Sequence, residues 1–307
     1  MQIYPYFIKK ILRKNQRVTG KFVIYGQYKS GTTACFLKLK NSMQGKFYTL
    51  FEKVEYDDAL NTGKLPVLAK VIIPPNCQQY AEEIQYEDNP EKLMPDLEKK
   101  LGTFNTFEKK IYLVRDPRDW IISAILFLPQ ARSEIYMNQS CFRNVLDIIK
   151  QKESNPASVS MLDILRFMLP NSNLHNFISK FVSEQHKWLF SFEDSISNYI
   201  TWKYEDMISN SKSHVEEYLG FKLSEENTSD DNYAHVARTK SYGNWKNWMT
   251  PRDVAFFRPL FAAYIERHGY DQSWDLASTP IIDSSHGSSY VERTVQLRRL
   301  KSKDSIS

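Results

Sequence analysis

Gly26, Lys29 and the run Ser30-Gly31-Thr32-Thr33 follow directly on the apolar stretch Phe22-Val23-Ile24-Tyr25. An apolar strand ending in glycine, a short loop and a second glycine opening a helix make a phosphate cradle. In such a cradle backbone N–H groups and a helix N-terminus face an anion. A nucleoside-triphosphatase loop carries its lysine directly after the second glycine. Here Thr32 takes that position, and the lysine sits two places before the glycine, as Lys29. The loop suits a phosphate-like group but departs from the ATPase form. Two more segments carry related chemistry. Arg115 closes the apolar run Ile111–Val114 and Ser123 follows about two helical turns later, giving a guanidinium fork and a hydroxyl for a phosphate. Arg238-Thr239-Lys240 precedes Gly243 and Trp245, a further loop able to close on an anion.

These residues need a frame. Apolar runs alternate with helical spacing, which predicts βα units and a parallel sheet. Strands are predicted at Lys21–Tyr25, Lys46–Phe51, Val67–Ile73, Lys110–Val114 and Asn198–Lys203. Helices are predicted at Thr32–Met43, capped by Gly31 or Thr32, and at Pro117–Phe127, Cys141–Lys152, Ser158–Met168, Leu174–Phe190, Ser213–Leu219 and Pro251–His268. Arg115 then lies at the end of a buried parallel strand, where open α/β sheets bind ligands. Tyr80–Asp88 and Pro90–Leu101 read as short helices and loops, and 223–237 as a polar loop. The chain of 307 residues, 42% hydrophobic and 25% charged, is ordinary for a globular protein and long enough for one large core. We expect one domain over 1–277, with a helical insertion at 130–200 that either covers an acceptor pocket or simply extends the core. From Ser278 to Ser307 the chain is rich in serine and then basic, and a weakly ordered or surface-lying tail is expected.

The formal net charge is only +5, but Met1 to Phe51 contains no Asp or Glu, and Glu52 is the first acid. This basic segment either attracts a polyanionic ligand to the cradle or forms a solvated basic face. The small excess argues against a nucleic-acid partner. Cys35, Cys77 and Cys141 have no paired spacing, which favours a reducing, cytoplasmic setting over a disulfide framework. No stretch reaches the length of a membrane span, and Met1–Gln16 lacks the pattern of a signal peptide. An amphipathic helix with Tyr4, Phe7, Ile8, Ile11 and Leu12 on one face is expected there, packed on the domain in preference to lying on a membrane surface.

The segments together resemble the signatures of sulfotransferases that use 3′-phosphoadenosine 5′-phosphosulfate (PAPS) and release the bis-phosphate PAP. That family has a Lys-Ser-Gly-Thr-Thr loop, then a strand ending Arg-x-Pro-(Arg/Lys)-Asp followed by Ser. Tyr-Glu-Asp and a late Arg-x-x-x-x-Gly-(Asp/Asn)-Trp segment complete the pattern. All four occur here in that order, between residues 22 and 246. The resemblance implies a three-layer α/β sandwich with a central parallel sheet and a P-loop-like strand–loop–helix. It implies that Lys29, Ser30, Gly31, Thr32 and Thr33 hold the 5′-phosphosulfate and that Arg115 and Ser123 hold the 3′-phosphate. Tyr204 would contact the adenine, and Arg238 and Lys240 would close on the 3′-phosphate. The family more often has its lysine at the position of Thr239. It also often stacks a Trp on adenine where this chain has Ala34, so Trp245 or another aromatic is expected to serve.

The implied reaction is sulfuryl transfer from PAPS to a hydroxyl or amine of a saccharide or small-molecule acceptor, without a metal. An acceptor hydroxyl needs a base. Family members often carry a His after the strand equivalent to Val67–Ile73, but here that run is Lys70-Val71-Ile72, and no His precedes His175. Glu52 is the expected replacement, in a Leu-Phe-Glu run similar to carbohydrate-type members. Glu55, Asp57, His175 and His186 are the alternatives, and Lys70 is a candidate to assist sulfate binding. A P-loop kinase and a binding protein without turnover are the rival readings.

Overall fold

The computed structural model describes residues 18–53, 56–57, 61, 64–73, 102–169, 173–225 and 238–304. The expected N-terminal helix, Cys77, Glu55 and the segments Tyr80–Asp88 and Pro90–Leu101 lie outside these residues, as does most of the 223–237 loop. Five strands form one all-parallel sheet in the order β2-β3-β1-β4-β5. They are β1 (Lys21–Gly26), β2 (Tyr48–Phe51), β3 (Val67–Ile72), β4 (Lys109–Val114) and β5 (Tyr199–Lys203), each within two residues of its expected bounds.

The three inner strands β3, β1 and β4 are nearly continuous apolar runs because both faces are covered. Phe22, Ile24, Leu68, Ile111, Leu113 and Trp202 point to one side. There they pack on Cys35, Phe36 and Leu39 of α1 (Thr32–Ser42) and on Val215 and Leu219 of a helix at Ser213–Leu219. Val23, Tyr25, Val67, Ala69, Val71, Tyr112 and Val114 point to the other side. They meet Phe104, Phe107 and the C-terminal half of a long helix at Leu174–Ser195 through Leu189 and Phe192. The result is the expected three-layer α/β sandwich, with β1 in the middle and its C-terminal end at the point where strand order reverses.

A second helical core stands beside the sheet. It joins α2 (Pro117–Ile125), two one-turn helices α3 (Leu128–Ala131) and α4 (Ser133–Tyr136), α5 (Gln139–Ser154) and α6 (Met161–Met168). The long Leu174–Ser195 helix is α7, which enters this core through Leu174, Ile178 and Val182 before crossing onto the sheet. Next come α8 (Tyr204–Ile208), α9 (Ser213–Leu219), α10 (Trp245–Trp248) and α11 (Pro251–Arg267). Asp253 knits the core together. Its carboxylate caps α11 through Thr250 and accepts hydrogen bonds from the backbone N–H groups of Met161 and Leu162, at the start of α6. Residues 130–200 are thus bound into the main body at both ends, and α7 is a layer of the sandwich itself.

The expectation of a loose tail from Ser278 does not match the structure. Residues Ser288–Asp304 form α12, whose Tyr290, Val291 and Val295 are 0% exposed within the helical core. Their spacing puts all three on one side of a helix, a signal masked by the serines and charges between them. The start of α12 is held by Glu153 of α5, which accepts hydrogen bonds from the backbone N–H and the hydroxyl of Ser288. Burial of this face makes α12 part of the cooperative core. Val295→Ala is expected to lower unfolding free energy by about 2 kcal/mol in a denaturant titration. An unchanged midpoint would return the segment to a loosely attached tail.

Candidate active site

The loop after β1 is set by close approaches that only glycine permits. A Cβ on Gly26 would sit 2.9 Å from the Leu113 carbonyl oxygen and 2.6 Å from the Thr32 methyl. Gly31 has φ +97°, and a Cβ there would lie 2.4 Å from the Tyr204 ring. Between them the chain turns at Lys29, itself in the left-handed region at φ 61°. Three contacts hold that turn. The Ser30 hydroxyl and N–H both donate to the Gln27 carbonyl, at 2.6 and 3.0 Å. Trp120 Nε1 donates to the Tyr28 carbonyl at 2.8 Å, and Arg115 Nη1 donates to the Lys29 carbonyl at 2.9 Å. Gly31 is the N-cap of α1 and no side chain bonds across the cap, nor does an acid lie in the first turn. The N-terminal N–H groups of α1 therefore remain turned toward whatever the loop surrounds.

Two arginines converge behind the loop. Arg115, at the end of β4, and Arg238 are each 6% exposed, yet Nε and Nη2 of both are buried with no hydrogen-bond partner among the described residues. Arg115 lies 4.5 Å over the Tyr204 ring, and Arg238 Nη1 donates to the His286 carbonyl at 3.3 Å. Burial, and then the charge of Arg115, push the Arg238 guanidinium down to about 10. Unpaired buried donors of this kind are rare and ask for a ligand. Ser123 is also buried, on α2.

Neighbouring carboxylates shape the backbone around the arginines. Asp119 is fully buried and accepts from the N–H groups of Gly243 and Trp245, which fixes the loop after Arg238. Burial raises its pKa, with Arg115 opposing. Glu205 accepts from the Asp116 N–H at 3.0 Å and from the Tyr270 hydroxyl at 3.2 Å, which fixes the turn after Arg115. Tyr204 packs on Gly31 and donates its hydroxyl to the Thr239 carbonyl at 3.1 Å. Thr239 is half-buried and Lys240 exposed. Trp245 is turned away from any base-stacking role. It is buried with the Arg118 guanidinium 4.4 Å from its ring and Trp274 edge-on at 5.8 Å.

Lys29 and Glu52 form a second group beside the loop. Lys29 Nζ donates to the Tyr290 hydroxyl at 3.1 Å and stands 4.4 Å from the Phe127 ring. Glu52 follows β2 with φ 57°, and its side chain is 51% exposed. It pairs with Lys70 of β3 at 2.6 Å, and Lys70 Nζ also donates to Thr33 Oγ1 at 2.8 Å. Lys70 is 1% exposed, and burial pushes its ammonium down while Glu52 opposes the shift. One buried lysine thereby links Glu52 to the loop. The two histidine alternatives, His175 and His186, lie elsewhere. His175 rests against Phe256 at 4.9 Å. His186 is buried among Phe190, Phe261 and Tyr264.

The structure thus gathers Lys29 to Thr33, Arg115, Tyr204, Arg238 and Thr239 at one end of the sheet, with Glu52 tied to the same loop. Sequence reasoning missed Tyr290, His286, Phe127 and the anchoring carboxylates Asp119 and Glu205. The two acids stand inside motifs that had been singled out for their neighbours. The tail offered no comparable signal.

An all-parallel α/β sheet with a glycine-bounded loop after its central strand, and two buried arginines behind that loop, define a phosphate-loop fold. Residues 19–240 match the family described as the sulfotransferase domain. The chain belongs to the sulfotransferase family and is a PAPS-dependent sulfotransferase. Among solved structures, it is similar to mouse sulfotransferase SULT7A1 complexed with PAP, at 15% identity and a TM-score of 0.44. That alignment covers 82% of this chain and 87% of the other. No curated protein sequence matches the chain. Among the described residues no helix is long and apolar enough to cross a membrane, and no cluster of His, Cys, Asp or Glu is arranged to hold a metal ion.

His186 yields a pH prediction. Burial lowers its pKa from 6.5 to about 4, so the folded protein keeps it neutral. Between those values the unfolded chain binds the extra proton. This contribution to stability is complete above pH 6.5 and is lost as pH falls toward 4. His268 is lowered to about 4 in the same way. Replacing His186 by Phe is expected to remove about 3 kcal/mol of the acid destabilisation over that window, read from denaturant midpoints at several pH values. An unaltered pH slope would contradict it.

Proposed function

We propose that the arginine pair and the loop hold the two ends of PAPS. In this reading Lys29, Ser30, Gly31, Thr32 and Thr33 surround the 5′-phosphosulfate. Arg115, Ser123 and Arg238, with Thr239 and Lys240 at the rim, receive the 3′-phosphate. The observation that supports this is the four buried N–H-bearing nitrogens of Arg115 and Arg238 that have no hydrogen-bond partner among the described residues. A phosphate supplies acceptors for such forks in charge-assisted geometry. The glycine cradle fits the same ligand, because a backbone without Cβ at Gly26 and Gly31 lets N–H groups approach an anion closely.

When bound, PAPS supplies the sulfuryl group and a phosphate leaving group. The Lys29 ammonium and the N-terminal amides of α1 would stabilise negative charge on the departing oxygen, in a site already organised before the reaction. Glu52 would take the proton of an acceptor hydroxyl, held in orientation by Lys70. The half-exposed carboxylate supports this role, since the acceptor must reach it from solvent. Asp57, His175 and His186 are weaker candidates, and His186 is enclosed by aromatic rings. The acceptor is a saccharide or small-molecule hydroxyl or amine, received beside helices drawn from 130–200. Free Cys35 and Cys141 are consistent with work in the cytoplasm.

Two measurements test the reading. Arg238→Gln is expected to weaken PAP binding about 10- to 100-fold in calorimetry, the worth of hydrogen bonds to a charged group; wild-type affinity in the variant would remove Arg238 from the site. With radiolabelled PAPS and a panel of saccharide and alcohol acceptors, Glu52→Gln is expected to reduce turnover by about 10²–10⁴ with PAP affinity retained. Turnover close to wild type would move the base elsewhere.

A further inference from the structure

The C-terminal segment meets the site at two separate cations. The His286 carbonyl accepts from Arg238 at 3.3 Å, and the Tyr290 hydroxyl accepts from Lys29 Nζ at 3.1 Å. The segment between them is firmly seated. Glu153 holds both the N–H and the hydroxyl of Ser288. Gly287 lies so close to Glu153 that a Cβ would fall 2.1 Å from its Oε1 and 3.1 Å from Trp248. Tyr290 is wholly buried, and its ring also stands 5.7 Å from the Lys29 ammonium.

Lys29 needs such a restraint. Its backbone is in the left-handed region, held there by Arg115 through the carbonyl. Its long side chain has several rotatable bonds, and fixing an ammonium at one point costs rotamer entropy. The Phe127 face at 4.4 Å attracts the charge but gives it no direction. A hydroxyl does. Burial pushes the Tyr290 phenol up to about 12, against the pull of Arg238, Arg293 and Arg115, so it stays neutral. It therefore accepts the Lys29 hydrogen bond and keeps its own proton.

We propose that Tyr290 is a positioning residue for Lys29, its hydroxyl fixing the ammonium over the loop, and that residues 286–290 brace Lys29 and Arg238 as one unit. This rests on the assignment of Lys29 to the phosphosulfate.

Tyr290→Phe is the test, since it deletes one oxygen and keeps the ring that fills the core. Two readouts are made on the full chain. In the first, lysines of the ligand-free protein are labelled with a limiting amine reagent and quantified by mass spectrometry. Labelling at Lys29 relative to Lys203 and Lys246 is expected to rise about tenfold in the variant, the scale of a hydrogen bond to a charged group. In the second, kcat with PAPS is expected to fall about tenfold, with PAP affinity within about twofold of wild type. Equal labelling ratios with unchanged kcat would overturn the proposal, as would labelling that rises uniformly over all lysines with a lowered melting point. Absence of PAP binding in the wild type would instead defeat the phosphosulfate assignment, while the labelling ratio would still report on the Lys29–Tyr290 contact.

Discussion

Two guanidinium groups buried side by side with unsatisfied N–H groups are the constraint to which the surrounding structure is fitted. Arg115 and Arg238 repel each other, and each has given up water without gaining a carboxylate partner among the described residues. Such an arrangement survives only if the chain around it is over-determined. Arg115 is fixed at one nitrogen by the Lys29 carbonyl and lies on the face of Tyr204. Glu205 and Asp119 are directed at backbone N–H groups rather than at either guanidinium. The nearby acids hold the loops and leave both forks open. A site built this way sacrifices stability for a preorganised positive field, which is what a highly charged donor substrate requires.

The sheet was legible because its strands are buried on both faces. Val23, Tyr25 and Val71 against Phe22, Ile24 and Leu68 make apolar runs that isolated polar residues such as Lys70 do not break. The donor half of the site was legible for a different reason. Its chemistry rests on backbone geometry and fixed cations, so Gly31, Lys29 and Arg115 must occur at set intervals in one short stretch or at a strand end. The acceptor half and the closing segment were not legible. Glu52 is recognisable only as the first acid after a basic run, and the pairing that ties it to Thr33 passes through Lys70, a residue from another strand.

The C-terminal helix misled for a compositional reason. Ser288, Ser289, Glu292 and Arg293 surround Tyr290, Val291 and Val295, so the average is polar while one face is wholly buried. Nothing local reveals that Glu153 and Lys29 wait for that face. Trp245 erred in the opposite sense. An aromatic beside a basic loop suggested stacking on a base, but Arg118 already occupies its face, with Trp274 against its edge.

The contact between Lys29 and Tyr290 spans 261 positions of sequence. Closing so long a loop comes late, because the intervening chain must be ordered before the contact is rewarded. The glycine turn is held over shorter spans, 86 positions to Arg115 and 92 to Trp120, whereas the lysine is seated only when the final helix docks. A molecule lacking this docking would lose the Tyr290 contact of Lys29 together with the His286 contact of Arg238. One helix and the turn before it thus reach both cations at once.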